Sequence, residues 1–141
     1  MCDDYRMEFV QDIPVTSQPI AIVDDDARCN RALGRLLRAS GFETSSFGSA
    51  EEFLASHAPE SHACLILDIH LPGMSGFELF DRLSTHEPQL PVIFVTAEDR
   101  ESIRDQAYRI PDTVFLQKPL IGAVLLAAVR GQLGRKGPNS G

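Results

Sequence analysis

The sequence has 141 residues and a mass of 15.5 kDa, enough for one compact domain with its own hydrophobic core. The net charge of −7 argues against a surface that binds nucleic acid directly. The three cysteines form no C-x-x-C pair, as is typical of a reduced, cytoplasmic chain. The N-terminus lacks a secretion signal and the uncharged stretch 119–129 is too short to span a bilayer, so we expect a soluble, cytoplasmic protein without a membrane segment.

Five short segments, most of them apolar, predict β-strands in the central part of the chain. The first, third and fourth runs are apolar throughout, a pattern typical of strands that are buried on both faces in the middle of a parallel sheet. In chain order, the predicted strands are Ile20–Val23, Glu43–Phe47, Cys64–Leu67, Val92–Val95 and Thr113–Leu116.

A helical pattern follows each predicted strand, and several of these patterns contain residues that favour a helix end. Ser49 with Glu52 three residues later resembles a capping box, and Pro119 suits the first turn of a helix. In chain order, the predicted helices are Ala27–Ala39, Ser49–Ser56, Gly76–Leu83, Asp99–Arg109 and Pro119–Leu133.

This alternation of strands and helices predicts an α/β fold with a parallel sheet and right-handed crossovers. We assign the domain to residues 19–133. Residues 1–18 show no sustained periodicity and are interpreted as an N-terminal leader. The glycine-rich residues 134–141 are interpreted as a flexible C-terminal tail.

Polar side chains follow four of the five predicted strands, at the point where each strand ends. They are Asp24, Asp25 and Asp26 after the first strand, Asp68 after the third, Thr96 after the fourth and Lys118 after the fifth. Open α/β sheets bind ligands beyond the carboxyl ends of their strands. Clustered carboxylates repel one another, and a divalent cation and Lys118 would relieve that repulsion. Because carboxylate and water oxygens suit Mg²⁺, the sequence predicts a magnesium site at this edge.

These groups predict phosphoryl-transfer chemistry. A carboxylate can attack an electrophilic phosphorus and hold the phosphoryl group as a mixed anhydride. A cation and Lys118 can neutralise charge on the transferring oxygens, and the hydroxyl of Thr96 can donate a hydrogen bond to the phosphate. Neither G-x-x-x-x-G-K-[ST] nor G-x-G-x-x-G occurs in the chain, so the phosphoryl donor is expected to be another molecule.

In their order and spacing, these segments resemble the response-regulator receiver domain of two-component signal transduction, over residues 19–133. The matching segments are Ile20–Asp26, Leu65–Gly76, Val95–Ala97 and Phe115–Pro119. The resemblance implies a flavodoxin-like (βα)5 three-layer sandwich, in which the five parallel strands take the order 2-1-3-4-5.

The same resemblance implies that Asp68 accepts a phosphoryl group from a histidine kinase or a phosphotransfer protein. Asp24 and Asp25 would hold Mg²⁺ together with Asp68 and the backbone carbonyl of His70. The protein would then be a signalling phosphoacceptor rather than an enzyme, with self-catalysed phosphotransfer and autodephosphorylation as its only reactions.

The resemblance also implies a switch between two arrangements. Thr96 would contact the phosphate, Lys118 would pair with it, and the Lys118–Pro119 peptide would be cis. Phe115 matches the aromatic residue that turns inward when Thr96 moves. The face formed by the fourth predicted helix, the fifth strand and the last helix would bind a partner or a second copy of the chain. The last helix is apolar nearly all round, which fits either such a contact or ordinary packing.

One segment departs from the family pattern. Ile110-Pro111-Asp112 stands where family members usually carry a Gly-Ala pair. Proline fixes φ and removes a backbone donor, so the end of the fourth helix is expected to differ in its path. His70 and Glu98 occupy two positions that the family uses to tune the lifetime of the phosphate.

Four arginines fall on one face of the first predicted helix: Arg28, Arg31, Arg35 and Arg38. They form either a solvated basic face or a docking surface for an acidic patch on a kinase or phosphotransfer partner. Cys29 lies near the acidic edge, which is expected to raise the pKa of its thiol.

Two other functions fit parts of the pattern. A receiver-like domain that is never phosphorylated would act as a scaffold or binding module, although all five pocket positions are intact. Haloacid-dehalogenase-like phosphatases also use an aspartate after an apolar strand, in a D-x-D motif that Asp24-Asp25-Asp26 satisfies. Those enzymes need further acidic metal ligands after their lysine, and no acidic residue follows Asp112.

Overall fold

The computed structural model describes residues 18–56, 62–86, 90–99, 101–102, 105, 109–110 and 113–135. Its strands are β1 (Ile20–Val23), β2 (Thr44–Phe47), β3 (Cys64–Asp68), β4 (Val92–Thr96) and β5 (Val114–Gln117). They form one parallel sheet in the order β2-β1-β3-β4-β5, which confirms the predicted topology. The ends of each strand lie within one residue of their predicted positions, and β1, β3 and β4 are buried along their whole length, as their apolar runs predict.

The helices with defined ends are α1 (Ala27–Ala39), α2 (Ala50–Ala55), α3 (Gly76–His86) and α4 (Gly122–Arg135). The predicted helix Asp99–Arg109 lies partly outside the described residues, and its described helical positions are 101, 102, 105 and 109. In the part of the chain that the structure describes, no helix is long and apolar enough to cross a bilayer.

The last helix begins later than the sequence predicts. A hydrogen bond of 3.0 Å joins the amide of Leu125 to the carbonyl of Ile121, so Ile121 is the residue that precedes the first turn. Pro119 therefore lies before the helix, and its assignment to the first turn is wrong. A proline is compatible with a first turn, but here residues 119–121 are needed to carry the chain from the end of β5 to α4.

Helices cover both faces of the sheet, because alternate strand residues point to opposite sides. α2 and α3 pack on one face, which is rich in aromatic side chains such as Phe53 and Phe94. α1 and α4 pack on the other face through mainly aliphatic side chains such as Leu37 and Leu125. This arrangement is the predicted three-layer sandwich.

Polar caps fix the start of the helices that follow β1 and β2. The side chain of Asp26 accepts a hydrogen bond from the amide of Arg28 at 3.0 Å and caps α1. Ser49 accepts from the amide of Glu52 at 3.0 Å and caps α2, as the sequence predicts. Each cap sets where the chain turns from strand to helix, so the caps also shape the loops at the carboxyl edge of the sheet.

Candidate functional site

Three charged side chains from the ends of different strands meet at the carboxyl edge of the sheet. The Nζ of Lys118 donates hydrogen bonds to Oδ2 of Asp24 at 3.0 Å and to Oδ2 of Asp68 at 3.1 Å. The side chains of the two aspartates are only 3% and 8% exposed. The structure thus places together three residues that the sequence predicts at one site.

The strand order brings these side chains together. β1 and β3 are hydrogen-bonded neighbours, so Asp24 and Asp68 lie side by side. Lys118 follows β5, at the far side of β4, where its backbone amide donates to the carbonyl of Thr96 at 2.7 Å. Its long side chain reaches back across the edge to the carboxylates. The Lys118–Pro119 peptide is cis, as the resemblance implies.

Backbone amides hold the second oxygen of each buried carboxylate. Oδ1 of Asp24 accepts from the amide of Asp26 at 2.9 Å, and Oδ1 of Asp68 accepts from the amide of His70 at 3.0 Å. Each carboxylate is therefore held between a neutral amide and the ammonium of Lys118. Charge-assisted hydrogen bonds of this kind restrict the orientation of both groups.

Asp25 completes a set of three carboxylates, here called the carboxylate cluster. One oxygen from each of Asp24, Asp25 and Asp68 lies within 4.8 Å of the other two. Carboxylate oxygens are ligands that Mg²⁺ prefers, and three carboxylates with one ammonium leave a negative charge that a divalent cation neutralises. The donor set therefore fits Mg²⁺. The predicted role of the His70 carbonyl as a further ligand stays a prediction.

The surroundings shift the pKa of two groups at this site. Burial raises the pKa of Asp68 above its usual range; the amide of His70 and Lys118 oppose this shift, whereas the charge of Asp24 adds to it. Burial by itself lowers the pKa of Lys118, but hydrogen bonds and charges from Asp24 and Asp68 outweigh that effect and raise it. Lys118 is therefore an ammonium ion at neutral pH, and its charge favours the ionised form of Asp68.

Thr96 lies at the end of β4, between the strands that carry Asp68 and Lys118. Its side chain is fully buried, and its Oγ1 accepts from the amide of Glu98 at 3.0 Å. The carboxylate of Glu98 contacts Nε2 of His70, so the segments that follow β3 and β4 are joined above the sheet. The predicted roles of these residues in phosphate contact and phosphate lifetime stay predictions.

Phe115 belongs to an aromatic group on the α2/α3 face. It lies opposite Phe94 in the β4–β5 pair, and the two rings stack with centroids 4.9 Å apart. The ring of Phe77, from α3, lies 6.4 Å from that of Phe115. The half-buried Phe115 ring is thus packed against the core, and its role as a switch stays a prediction. Pro111 and Asp112, in the segment that departs from the family pattern, lie outside the described residues.

Two residues near the start of α1 contact Asp24. Burial raises the pKa of the Cys29 thiol to about 12, and a hydrogen bond to Asp24 adds to this shift, which confirms the predicted direction. Asn30 is buried, and its Nδ2 donates to the backbone carbonyl of Asp24 at 3.0 Å. Asn30 has no role predicted from the sequence, because an asparagine within a helical pattern carries no signal of its own.

Gly76, the first residue of α3, packs directly on the backbone of Asp68. Its amide donates to the carbonyl of Ile69 at 2.9 Å. A Cβ at position 76 would lie 2.4 Å from the carbonyl oxygen of Asp68 and 2.9 Å from Cα of Ile69. The glycine that ends the second matching segment is therefore a steric requirement of the site.

A row of exposed arginines runs along α1, the helix that begins directly after Asp26. Arg28, Arg31, Arg35 and Arg38 are all exposed. The guanidinium of Arg38 also donates a hydrogen bond to Oγ1 of Thr44 in β2 at 2.9 Å. A cavity of about 250 Å³ lies between the same helix and residues 118–120 and is lined mainly by apolar side chains. Charged and apolar groups are therefore both available to a partner on this side of the site.

Comparison with protein families gives one match that covers most of the chain. The model of the response regulator receiver domain matches residues 20–130. The transcriptional regulatory protein FixJ of Azorhizobium caulinodans is 34% identical over 119 residues, which are 84% of this chain and 56% of that protein. Nodulation protein W of Bradyrhizobium diazoefficiens is 36% identical over 114 residues, which are 81% of this chain and 50% of that protein. The chain spans about half the length of these curated relatives.

Solved structures agree with this match in fold. The response regulator StyR is 35% identical with a TM-score of 0.76, and the match covers 88% of this chain and 63% of StyR. A response regulator receiver protein from Burkholderia phymatum is 36% identical with a TM-score of 0.72, and the match covers 83% of this chain and 96% of that one.

Proposed function

This chain belongs to the family of response regulator receiver domains, and from that premise we propose that it is the phosphoacceptor of a two-component system. In this proposal Asp68 accepts a phosphoryl group from a phosphohistidine of a histidine kinase or a phosphotransfer protein. The observation that carries the proposal is the position of the Asp68 carboxylate, which is buried, paired with Lys118 and part of the carboxylate cluster.

The proposed transfer forms one bond and breaks another. An oxygen of Asp68 bonds to phosphorus while the bond from phosphorus to the donor imidazole breaks, and the imidazole nitrogen keeps the electron pair. Lys118 offsets charge on the transferring oxygens from a position that is already fixed before the donor arrives. Mg²⁺, held by the carboxylate cluster and the carbonyl of His70, would supply further positive charge. Hydrolysis of the acyl phosphate would return Asp68 to its carboxylate without a second enzyme.

The proposed output is a change in the arrangement of Thr96 and Phe115. The oxygen of Thr96 accepts from the amide of Glu98, and its O–H would donate to a phosphate on Asp68, which would draw Thr96 toward Asp68. Phosphorylation shifts the population only as far as it favours one arrangement over the other. Phe115 lies on β5, which pairs with the strand that ends at Thr96. The face around β5 is therefore the surface that we expect to change for a partner or a second copy.

We further propose that the α1 arginines dock the phosphodonor. Arg31 and Arg35 are exposed on α1, the helix that begins directly after Asp26, and they would attract an acidic patch on a partner over a range set by ionic strength. The test reverses both charges, Arg31→Glu with Arg35→Glu, and measures phosphotransfer from a histidine kinase that phosphorylates the wild type. The matched control is Arg82→Glu, an exposed arginine on α3 at the opposite face.

We expect the double variant to slow transfer at low salt by about ten-fold or more, and the difference from wild type to shrink at high salt. Arg82→Glu should transfer like the wild type. A double variant with an unchanged rate at both salt concentrations would contradict docking through α1.

Phosphorylation of Asp68 is tested by mass spectrometry after incubation with acetyl phosphate and Mg²⁺. The wild type should gain one phosphoryl group, and Asp68→Asn should gain none while keeping the wild-type circular dichroism spectrum. Asp25→Asn, which removes an exposed member of the carboxylate cluster, should be phosphorylated more slowly and need more Mg²⁺. A wild type that gains no mass would favour the scaffold alternative, and an Asp68→Asn variant that gains mass would place the phosphate elsewhere.

We also propose the limits and location of the signalling unit. Residues 19–133 would form the receiver, with residues 1–18 as a leader and residues 134–141 as a tail, and the chain would act in the cytoplasm. Limited proteolysis followed by mass spectrometry tests these limits, since cleavage should be confined to the leader and the tail. Cleavage within residues 20–130 before either end is removed would contradict them.

A further inference from the structure

A buried asparagine connects the ends of two strands next to the carboxylate cluster. Asn30 lies in the first turn of α1 and is 7% exposed. Its Nδ2 donates to the backbone carbonyl of Asp24 at 3.0 Å and to that of Phe47 at 2.9 Å. The carbonyl of Phe47 also accepts from the amide of Asp24 at 3.1 Å. One side chain therefore joins the start of α1 to the ends of β1 and β2.

The bond to the Asp24 carbonyl acts on the peptide unit between two members of the carboxylate cluster. A peptide unit is planar, so holding the carbonyl of Asp24 also fixes the amide of Asp25 and the direction in which the chain leaves Asp24. The side chain of Asp24 is separately held by the amide of Asp26 and by Lys118. Asn30 is thus placed to set the backbone from which both carboxylates project.

The unused oxygen of Asn30 indicates that the residue does more than fill space. Among the described residues, Oδ1 of Asn30 is a buried side-chain atom without a hydrogen-bond partner. A buried polar atom without a partner lowers stability, and an apolar residue of similar size would avoid that loss. At this position asparagine therefore differs from leucine by the two hydrogen bonds that its Nδ2 donates.

We propose that Asn30 is a positioning residue for Mg²⁺, which holds the peptide unit between Asp24 and Asp25 so that their carboxylates and that of Asp68 converge on one cation. This inference rests on the proposed function, because it concerns the same metal site. Residues that orient metal ligands typically change metal affinity by about 10–100-fold when they are replaced.

Gln132 is a matched control at the other end of the sheet. It is a buried side-chain amide, 4% exposed, and its Nε2 donates to the carbonyl of Val92 at 3.4 Å. Val92 is the first residue of β4, so this bond lies away from the carboxylate cluster. Asn30→Ala and Gln132→Ala both remove a buried amide that is bonded to a strand carbonyl, and both are expected to lower the melting temperature.

The experiment titrates the purified full chain with Mg²⁺ by calorimetry and with Mn²⁺ by electron paramagnetic resonance, below the melting temperature of each variant. We expect Asn30→Ala to weaken binding of both ions by about ten-fold or more, and Gln132→Ala to leave it within about two-fold of wild type. Asn30→Ser keeps one hydrogen-bond donor, so its Mg²⁺ affinity should lie between those of the wild type and Asn30→Ala. If Asn30→Ala does not fold, the affinity of Asn30→Ser is the test. At saturating Mg²⁺, the rate at which acetyl phosphate phosphorylates the Asn30 variants should return toward the wild-type rate.

Equal Mg²⁺ affinity in wild type and folded Asn30 variants would overturn the inference, as would equal weakening by Gln132→Ala. These outcomes leave the proposed function intact, because the wild type still binds the cation. A wild type that binds neither ion would instead remove the magnesium site and, with it, the basis of both proposals.

Discussion

The carboxyl and amino ends of the sheet differ in what they bury. Of the six buried polar or charged residues in the described part of the chain, four lie at the carboxyl end: Asp24, Asn30, Asp68 and Thr96. At the amino end, Gln132 contributes a neutral amide that bonds to one strand carbonyl. The buried charges of this sheet are therefore concentrated at one end.

This difference shows which end of the sheet buries groups that lower the stability of the fold. Two carboxylates held side by side and away from water are unfavourable without a cation, and burial raises the pKa of Asp68 accordingly. The amino end has no such pair of buried carboxylates among its described residues. We therefore expect substitutions at the two ends to differ in size and in their dependence on pH.

The largest effect is expected from Gly76→Ala. The added Cβ would lie 2.4 Å from the carbonyl oxygen of Asp68, and backbone cannot yield as a flexible side chain does. We expect the free energy of unfolding to fall by about 3 kcal/mol, together with loss of phosphorylation by acetyl phosphate. Urea denaturation and mass spectrometry measure the two effects. A stable variant that is phosphorylated normally would show that the loop after β3 can move away from α3.

Lys118→Met tests the cation between the buried carboxylates. Without the ammonium, Asp24 and Asp68 repel each other, and we expect the free energy of unfolding at neutral pH to fall by about 2 kcal/mol. Protonation relieves the repulsion, so the deficit should shrink as the pH is lowered toward the carboxyl pKa range. Urea denaturation of wild type and variant at neutral and mildly acidic pH measures this. A deficit that is the same at both pH values would assign it to lost packing.

The wild type and Lys118→Met also test how the Lys118 ion pairs contribute to stability at alkaline pH. The pKa of Lys118 in the fold lies above its ordinary value of 10.5, so its ion pairs stabilise the fold fully below that pH. This stabilisation is lost as the pH rises through the folded value. The difference in unfolding free energy between wild type and Lys118→Met should therefore decrease in strongly alkaline buffer. A constant difference would contradict the raised pKa.

Asp68→Asn should have a smaller effect of opposite sign. Because burial raises the pKa of Asp68, its ionised form is unfavourable in the fold, and a neutral side chain of the same shape removes that penalty. We expect the unfolding free energy at neutral pH to rise by about 1 kcal/mol while phosphorylation is lost. Asp25→Asn, at an exposed position, should change stability less. A destabilised Asp68→Asn variant would mean that its bond to Lys118 outweighs burial.

The smallest effect is expected at the amino end, from Gly131→Ala in α4. A Cβ at this exposed position has no atom within 4 Å, so the substitution adds helix propensity without a clash. We expect a gain of about 0.5 kcal/mol in unfolding free energy and no change in phosphorylation. Thermal unfolding measures the change in stability, and mass spectrometry after incubation with acetyl phosphate measures phosphorylation. A loss of stability would indicate that this helix face is covered by another molecule or chain segment.

Much of the fold and the centre of the site are predictable from local sequence. The apolar runs locate the three central strands β1, β3 and β4, and the rule that ligands bind beyond strand ends predicts that Asp24, Asp68 and Lys118 lie together. The start of the last helix is not predictable in this way, because proline is acceptable both in a first turn and in the connection that precedes it. Helix propensity does not distinguish the two.

The supporting contacts are the part that sequence reasoning cannot supply. Asn30 reaches the carbonyl of Phe47, 17 residues away, only because β1 and β2 lie side by side. Glu98 meets His70 across 28 residues for a similar reason, at neighbouring strands β3 and β4. Such contacts depend on the distance between loops, which residue type and spacing do not encode.

The ion pair of Lys118 links the chemistry of the site to the order in which the chain is made. Lys118 is 94 residues from Asp24 and 50 residues from Asp68, and it follows β5, the edge strand that pairs only with β4 among the described strands. A chain emerging from the ribosome contains both carboxylates well before their cation. Until β5 joins the sheet, the pocket lacks its fixed positive charge. Competence to accept a phosphoryl group at this site therefore requires the last strand of the sheet to be in place.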